Sequence, residues 1–211
     1  VENAIDAGAT RIRIELEQGG KTRIEVSDDG CGMGREDAVL ALDRHATSKI
    51  RSAADLVGVR SFGFRGEALP AIASVSRLRL TTCAGDEVGT EVEITGGRVD
   101  RVTDIARQQG TTVAVQGLFF NTPARRKFLR SASSESRASW EAVATIALAH
   151  PAVGMELYLD GRSRLVEPVY AALVANGEDA ELAAELFERS RGTYHPLTVA
   201  AIEKHFPGKV G

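Results

Sequence analysis

The stretch RIRIELEQGGKTRIEVSDDGCG, residues 11–32, decides the fold because apolar and polar residues alternate through it in two separate runs. The alternation covers residues 11–16 and residues 21–26, and such a period of two is typical of strands with one buried face. Two glycines at residues 19–20 lie between the runs, so the sequence predicts a β-hairpin. We expect residues 28–32 to form a turn that follows the second strand, because they combine aspartates with glycines.

Helices and further strands are predicted on both sides of this hairpin. Residues 1–7 look helical, and Gly8 follows where a helix end commonly needs a left-handed residue. The other predicted helices cover residues 35–42, 46–51, 67–75 and 135–149. Further strands are predicted at residues 77–82, 90–95, 111–115 and 155–159, with an exposed loop at 131–136 and a turn at 160–161. This order predicts an α+β fold, with helices layered on one face of a largely antiparallel sheet.

The composition is that of a soluble globular protein. Of 211 residues, 43% are hydrophobic and 26% are charged, and the formal net charge is −3. This balance gives no global reason for tight nucleic-acid binding, so any DNA contact would need a local basic patch. Cys31 and Cys83 have neither metal-ligand spacing nor the look of a disulfide framework. We expect no membrane association, because no apolar run approaches spanning length.

The two ends of the sequence carry separate expectations. Residue 1 already reads as the inside of a helix, without a cap or an initiator methionine, so we expect the chain to be truncated at its N-terminus. After about residue 167 the sequence becomes rich in Ala, Glu and Leu, and residues 167–211 are expected to form an atypical helical tail without chemistry.

Four separated stretches could carry chemistry: ENAIDAG at residues 2–8, DDGCG at 28–32, GFRGEAL at 63–69 and GTTV at 110–113. Each has an ordinary alternative, since an asparagine on a helix is usually solvated and Asp-Asp-Gly is usually a turn. Together, in this order, they resemble the GHKL ATPases, which include gyrase, a heat-shock chaperone, histidine kinases and MutL. The segments RHATSKI at 44–50, GFRGEAL and LFFNTPARRKFL at 118–129 narrow the resemblance to the MutL family of DNA mismatch repair proteins.

The resemblance implies an ATP-binding domain with the GHKL (Bergerat) fold, a two-layer α/β sandwich, at residues 1–117. It implies that a second, ribosomal protein S5-like α/β domain begins within residues 118–166. The segment after residue 167 departs from that family's second domain.

On the adenine side of the implied pocket, the Asp28 carboxylate would accept a hydrogen bond from the adenine amino group. Guanine has a carbonyl at that position and would leave the acceptor unpaired. The resemblance implies that Gly32 lets the base approach closely and that Thr111 joins a water-bridged network, although Thr111 could be a plain strand residue. Asp6 and Ala7 would line the adenine side.

On the phosphate side, the glycine-punctuated loop Gly63, Phe64, Arg65 and Gly66 opens a helix whose free amides suit a triphosphate. Arg65 could instead be an ordinary surface arginine. Thr47, Ser48 and Lys49 lie where the family has a mobile lid, and Lys49 could touch a phosphate or be solvated.

Asn3 offers an amide oxygen for Mg²⁺, which needs few protein ligands because it binds mainly phosphate oxygens and water. The family's general-base glutamate stands four residues before this asparagine, so counting back from Asn3 places it upstream of Val1. We therefore expect no catalytic residue in this chain. Glu2 cannot replace the base, because adjacent helix positions point about 100° apart. His45 is expected to be structural, since it has no partner cluster.

The implied function is an ATP-dependent conformational switch that couples mismatch recognition by a MutS-type protein to strand incision. The implied partners are that protein, DNA bound weakly and non-specifically, and a homodimer or paralogue heterodimer through the ATP domain. The run Arg125-Arg126-Lys127 could touch DNA or be solvated. A bacterial cytoplasmic protein associated with the nucleoid is favoured over a nuclear one. The alternatives are a nucleotide-gated dimerisation module without hydrolysis, and a gyrase-type relative, which the segment at 118–129 argues against.

Overall fold

The computed structural model describes residues 1–42, 68–85, 88–150 and 153–164. The helices are α1 (Glu2–Asp6), α2 (Arg35–Leu40), α3 (Ala68–Ser74), α4 (Pro123–Arg126) and α5 (Ala132–Ala149). The strands are β1 (Arg11–Glu17), β2 (Arg23–Asp28), β3 (Arg77–Cys83), β4 (Gly89–Thr95), β5 (Arg98–Ile105), β6 (Gly110–Gln116), β7 (Gly154–Leu159) and β8 (Arg162–Ser163). None of the described helices is long and apolar enough to cross a membrane.

All eight described strands form one sheet with the order β5-β4-β3-β6-β2-β1-β7-β8. The predicted hairpin is confirmed, because β1 and β2 pair antiparallel, with a 3₁₀ turn at Gln18–Gly20 between them. β7 is the exception to the antiparallel pattern and runs parallel to β1. The α+β prediction is therefore confirmed, including its largely antiparallel sheet.

The alternation read from the sequence divides the sheet into an apolar face and a polar face. On the apolar face, one cluster joins Ile12, Ile14 and Leu16 of β1 to residues of α1, α5 and β7. A second cluster gathers apolar residues of β3, β4 and β6 against Ala38 of α2 and Ala73 of α3. The helices therefore cover one face, while mainly charged and hydroxyl-bearing side chains stand on the other.

Three expectations about local structure are wrong. Asp28 is the last residue of β2 rather than part of the turn, because it pairs with both neighbouring strands. Residues 132–136 are helical, since the Ser131 hydroxyl accepts a hydrogen bond from the Ser134 amide and caps α5 at its N-terminus. β5 was not predicted, because its edge position leaves most of its residues exposed and removes the apolar alternation.

The boundary expected at residue 118 is also corrected for the described residues. α5 packs into the same core as β1, and β7 extends the same sheet. Residues 118–150 and 153–164 therefore continue the first unit instead of beginning a separate one. The helix predicted at 46–51, His45 and the tail at 167–211 lie outside the described residues.

Candidate functional site

Asp28 lies where β2 ends, on the face of the sheet that the helices cover. It pairs with Ile12 of β1 on one side and with Thr111 of β6 on the other. Its Oδ1 accepts a hydrogen bond of 3.0 Å from the Gly30 amide. The chain thus turns immediately after Asp28, which is half-buried.

The pKa of Asp28 lies above its ordinary value, and burial is the largest cause. The backbone amides of Gly30 and Thr111, and the charge of Arg107, oppose this rise. Burial raises the pKa because it removes water that would solvate the ionised form. A donor that enters the site and bonds the carboxylate would replace part of that lost solvation.

The adjacent Asp29 has the opposite environment. Its Oδ1 accepts hydrogen bonds from the amides of Thr10 and Arg11 at 2.7 and 2.8 Å, and its Oδ2 accepts one from the Thr10 hydroxyl at 2.6 Å. Burial acts to raise the pKa of Asp29, but these hydrogen bonds outweigh burial and hold the pKa below its ordinary value. Asp29 therefore fixes the entry to β1, whereas Asp28 keeps acceptor capacity for a ligand.

Thr111 is hydrogen-bonded to a buried threonine on the neighbouring strand β3. Thr82 of β3 is 0% exposed, and its hydroxyl donates to the Gly110 carbonyl at 3.2 Å and accepts from the Met33 amide at 2.9 Å. The hydroxyls of Thr82 and Thr111 lie 3.0 Å apart. When Thr82 donates its one hydroxyl proton to the Gly110 carbonyl, Thr111 is the donor in this pair. Its oxygen then keeps lone pairs for a water or a ligand.

Sequence reasoning missed Thr82, although the sequence contains a signal for it. Thr82 continues the apolar series Leu78 and Leu80 on the buried face of β3. A polar residue at an apolar position of a period-two pattern needs a hydrogen-bond partner inside the fold. Here the partners are the candidate site residue Thr111, the Gly110 carbonyl and the Met33 amide.

The loop after Asp28 is packed against the end of α1. The Cys31 amide donates to the Ala7 carbonyl at 2.9 Å. A Cβ added at Gly30 would lie 2.8 Å from the Ala7 Cβ and 2.9 Å from its carbonyl oxygen. This close approach holds Ala7 beside the Asp28 turn, as the sequence interpretation requires of an adenine pocket.

Gly32 is required by the protein's own packing. Its φ is +67°, and a Cβ there would lie 1.9 Å from the Cys83 carbonyl oxygen at the end of β3. Both facts exclude a side chain. A role for Gly32 toward a base stays a prediction, because its contact in the structure is with β3.

α1 presents Asn3 and Asp6 three residues apart, so the two stand on neighbouring positions of one helix surface. The Asn3 side chain is exposed, and Asp6 is half-buried. No group of three or more His, Cys, Asp or Glu side chains in the described ranges could hold a metal ion. The Mg²⁺ role of Asn3 stays a prediction.

The structure thus brings Asp28 and Thr111 together and packs Ala7 against the loop after Asp28, while Gly32 contacts β3 and Asn3 and Asp6 lie on α1, just before Ala7. The phosphate-side candidates lie outside the described residues: Thr47, Ser48, Lys49, Gly63, Phe64, Arg65 and Gly66.

Comparison with protein families matches this part of the chain. The family model for histidine kinase-, DNA gyrase B-, and HSP90-like ATPases matches residues 1–111, which is more than half of the chain. The chain belongs to this ATPase family. A second model, leukotriene A4 hydrolase, C-terminal, matches residues 120–206. That range is less than half of the chain and assigns no family.

Individual relatives narrow the assignment. The DNA mismatch repair protein MutL of Anaeromyxobacter sp. (strain K) is 58% identical over 163 residues, which are 77% of this chain and 27% of that protein. MutL of Gemmatimonas aurantiaca is 55% identical over 175 residues, 83% of this chain and 29% of that protein. The chain therefore spans about a quarter of the length of these relatives.

A solved structure gives the same result. The Aquifex aeolicus MutL ATPase domain complexed with ADP matches with a TM-score of 0.62 and 33% identity, covering 78% of this chain and 58% of that one. Within the ATPase family, the chain is a member of the MutL family, and its fold is the GHKL fold expected from the sequence.

Proposed function

We propose that the protein binds ATP at the ends of α1, β2 and β6, with the Asp28 carboxylate accepting a hydrogen bond from the adenine amino group. The observation that carries this proposal is the contrast between the two adjacent aspartates. Asp29 has both carboxylate oxygens bonded to the start of β1, whereas within the described chain the Asp28 carboxylate is approached by backbone amides alone, those of Gly30 and Thr111. Such an acceptor selects a base that carries an amino group.

Thr111 would act together with Asp28. Its hydroxyl proton is used by Thr82, so its oxygen would accept a hydrogen bond from a water molecule that bridges to the base. Ala7 and Asp6 would line the adenine side, and Gly32 would keep the loop close to β3. These roles rest on the placement of the residues around the Asp28 turn.

The phosphates would extend past α1. Asn3 would supply the amide oxygen to Mg²⁺, an ion that neutralises phosphate charge when bound. Backbone amides of Gly63, Phe64, Arg65 and Gly66 would hold the triphosphate, and Thr47, Ser48 and Lys49 would cover it as a lid. These assignments rest on the family motifs in those segments.

For the whole protein we infer an ATP-dependent conformational switch in DNA mismatch repair, because the relatives are MutL proteins. ATP binding would order the lid and favour a homodimer or a paralogue heterodimer, and hydrolysis would reset it. The switch would couple a MutS-type mismatch recognition protein to strand incision. DNA would be held weakly, with Arg125, Arg126 and Lys127 as exposed cations beside Phe128, which is 84% exposed. The bacterial relatives favour the bacterial cytoplasm at the nucleoid.

Calorimetric titration with ATP tests the binding site. We expect Asp28→Asn to weaken ATP binding by about 2 kcal/mol, roughly thirtyfold, because a charge-assisted hydrogen bond is lost while the shape is kept. Circular dichroism should show a folded variant. Unchanged ATP affinity in a folded Asp28→Asn protein would remove Asp28 from the site.

A further inference from the structure

A polar cleft lies behind the candidate nucleotide site. Its volume is 540 Å³, and most of the side chains that line it stand on the polar face of the sheet. It is bordered by β1 and β7 on one side and by the loop between β5 and β6 on the other. A volume of this size lies within the range of about 300–1,000 Å³ that small-molecule sites occupy.

Two hydroxyls form the floor of this cleft. Ser27 of β2 and Thr112 of β6 are paired in register, and their Oγ and Oγ1 atoms lie 2.7 Å apart. Each is the chain neighbour of a candidate adenine-site residue, since Ser27 precedes Asp28 and Thr112 follows Thr111. Successive side chains of a strand point to opposite faces, so the cleft and the nucleotide site lie back to back.

Arg107 forms one wall and is held in place by neutral oxygens. Its guanidinium donates to the Thr81 carbonyl and, at 2.8 Å, to the Thr81 hydroxyl, while its Nε donates to the Gln108 carbonyl at 3.1 Å. In the described ranges no carboxylate oxygen lies within 4 Å of this guanidinium. Arg107 is therefore a half-buried, oriented cation whose charge is not neutralised by an ion pair.

Arg11 stands at the opposite wall. Its exposed guanidinium likewise has no ion pair with any carboxylate of the described chain. Arg13, which also lines the cleft, differs because it is bound to Glu15 at 2.6 Å and lies over the Tyr158 ring. Arg11 and Arg107 thus differ from Arg13 in having no ion pair within the described residues, and the charge of Asp28 acts on Arg107 from a longer distance.

Three acidic residues of the described ranges line the cleft; two of them, Glu156 and Asp29, are already engaged, and the third is Asp28. Glu156 lies 3.9 Å from Arg13 and accepts a hydrogen bond of 3.2 Å from the Tyr158 hydroxyl. Asp29 is bonded to Thr10 and Arg11 through both oxygens. An anion that enters between Arg107 and Arg11 would meet two guanidiniums without ion pairs in the described chain and two hydroxyls.

We propose that this cleft is a second ligand site, which binds a small molecule bearing a phosphate or carboxylate group between Arg107 and Arg11, above Ser27 and Thr112. Guanidinium groups suit both anions, because their planar N–H donors match two oxygens of either group. Asp28 is also one of the residues that line the cleft, so this site adjoins the candidate nucleotide site at the end of β2.

Amide NMR titration tests this site, with inorganic phosphate and citrate as the probes for the two anion types. We expect saturable shifts of the Arg107 and Thr112 amides with at least one probe. Arg107→Gln should weaken that binding at least tenfold, and so should Arg11→Gln, which changes an exposed residue and keeps the test valid if the first variant unfolds. Arg98→Gln is the matched control, because Arg98 is an exposed arginine on the edge strand β5.

The same titration in the presence of saturating adenosine separates the two sites, since adenosine carries no anionic group and the cleft should still bind its probe. Shifts that Arg107→Gln and Arg11→Gln leave unchanged would overturn the proposal. The proposal would also be overturned if Arg98→Gln abolished the amide shifts equally. Amide shifts with duplex DNA, but with neither phosphate nor citrate, would overturn it as well.

Discussion

The two faces of the sheet differ most where β2 and β6 end. On the covered face the strands carry apolar residues until Asp28 and Thr111, which stand beside the buried Thr82. On the open face the neighbouring Ser27 and Thr112 bond to each other among surface arginines and glutamates. A polar residue is ordinary on the open face, whereas on the covered face it requires a partner or a ligand.

This difference shows how residues of the candidate site can be distinguished from residues that only support the fold. Most polar side chains on the open face contact water or form ion pairs, as the network of Arg23 with Glu15, Glu17 and Glu25 shows. Polar side chains at the end of the covered face interrupt an apolar pattern. The interruption, rather than the polarity itself, points to function.

The largest expected effect contrasts the faces directly on β3. Leu80 is 0% exposed within the second core cluster, so Leu80→Ala should lower the free energy of unfolding by about 2–5 kcal/mol. Arg79→Ala, one residue away on the open face, should cost less than about 1 kcal/mol because its contact with Glu91 is long, at 4.0 Å, and its own side chain is 50% exposed. Urea unfolding measures the free energy of unfolding of both variants. Equal losses would contradict the assignment of faces.

A smaller effect contrasts two glycines that share a left-handed backbone. Gly32→Ala should cost roughly 2–3 kcal/mol, since it adds a clash with the Cys83 carbonyl to the strain of a positive φ. Gly8→Ala has φ +71° and nothing within 4 Å of the added carbon, so it should cost about 1 kcal/mol from the backbone strain. Thermal unfolding would compare them, and a more harmful Gly8→Ala would show that the loop packing is misassigned.

The smallest effects separate the adjacent aspartates by pH. The folded pKa of Asp29 lies below its unfolded value of about 3.9, so its stabilisation is present above that pH and is lost as pH falls through the folded pKa. We expect Asp29→Asn to lower stability by about 1 kcal/mol at pH 7, at the low end because the side chain is exposed, with the difference shrinking below pH 4.

Asp28 should behave in the opposite sense. Its folded pKa is raised, so its contribution to stability falls as pH rises from the unfolded pKa through the folded one. Asp28→Asn should therefore be no less stable than the parent protein at pH 7. The free energy of unfolding of both variants can be measured with urea from pH 3 to pH 7. An equal loss of stability in Asp28→Asn and Asp29→Asn would show that the two carboxylates do not differ in this way.

Much of the sheet could be predicted because period-two alternation marks strands with one buried face, and six of the eight described strands carry it clearly. β5 and β8 escaped because an edge strand and a two-residue strand bury too little to leave a pattern. The parallel pairing of β1 with β7 could not be predicted, since it joins residues more than 140 positions apart without a local signal.

Part of the candidate site could likewise be predicted from local sequence. Asp28 and Thr111 belong to motifs, so the sequence places them at the site. Asp28 and Asp29 differ in hydrogen bonding because Thr10 and Arg11 donate to Asp29. The hydrogen bond between Thr82 and Thr111 exists because β3 and β6 are neighbours in the sheet. These are tertiary contacts, which the sequence of the loop itself does not contain.

The central claim is that Asp28 selects adenine by accepting a hydrogen bond from its amino group. The most direct measurement is the ratio of ATP to ITP affinity, by calorimetry, in the parent protein and in Asp28→Asn, because hypoxanthine carries a carbonyl in place of that amino group. We predict a preference for ATP of about tenfold or more in the parent protein and a ratio near one in the variant, whose amide can donate to the carbonyl. An ATP preference that survives unchanged in a folded Asp28→Asn protein would contradict the account.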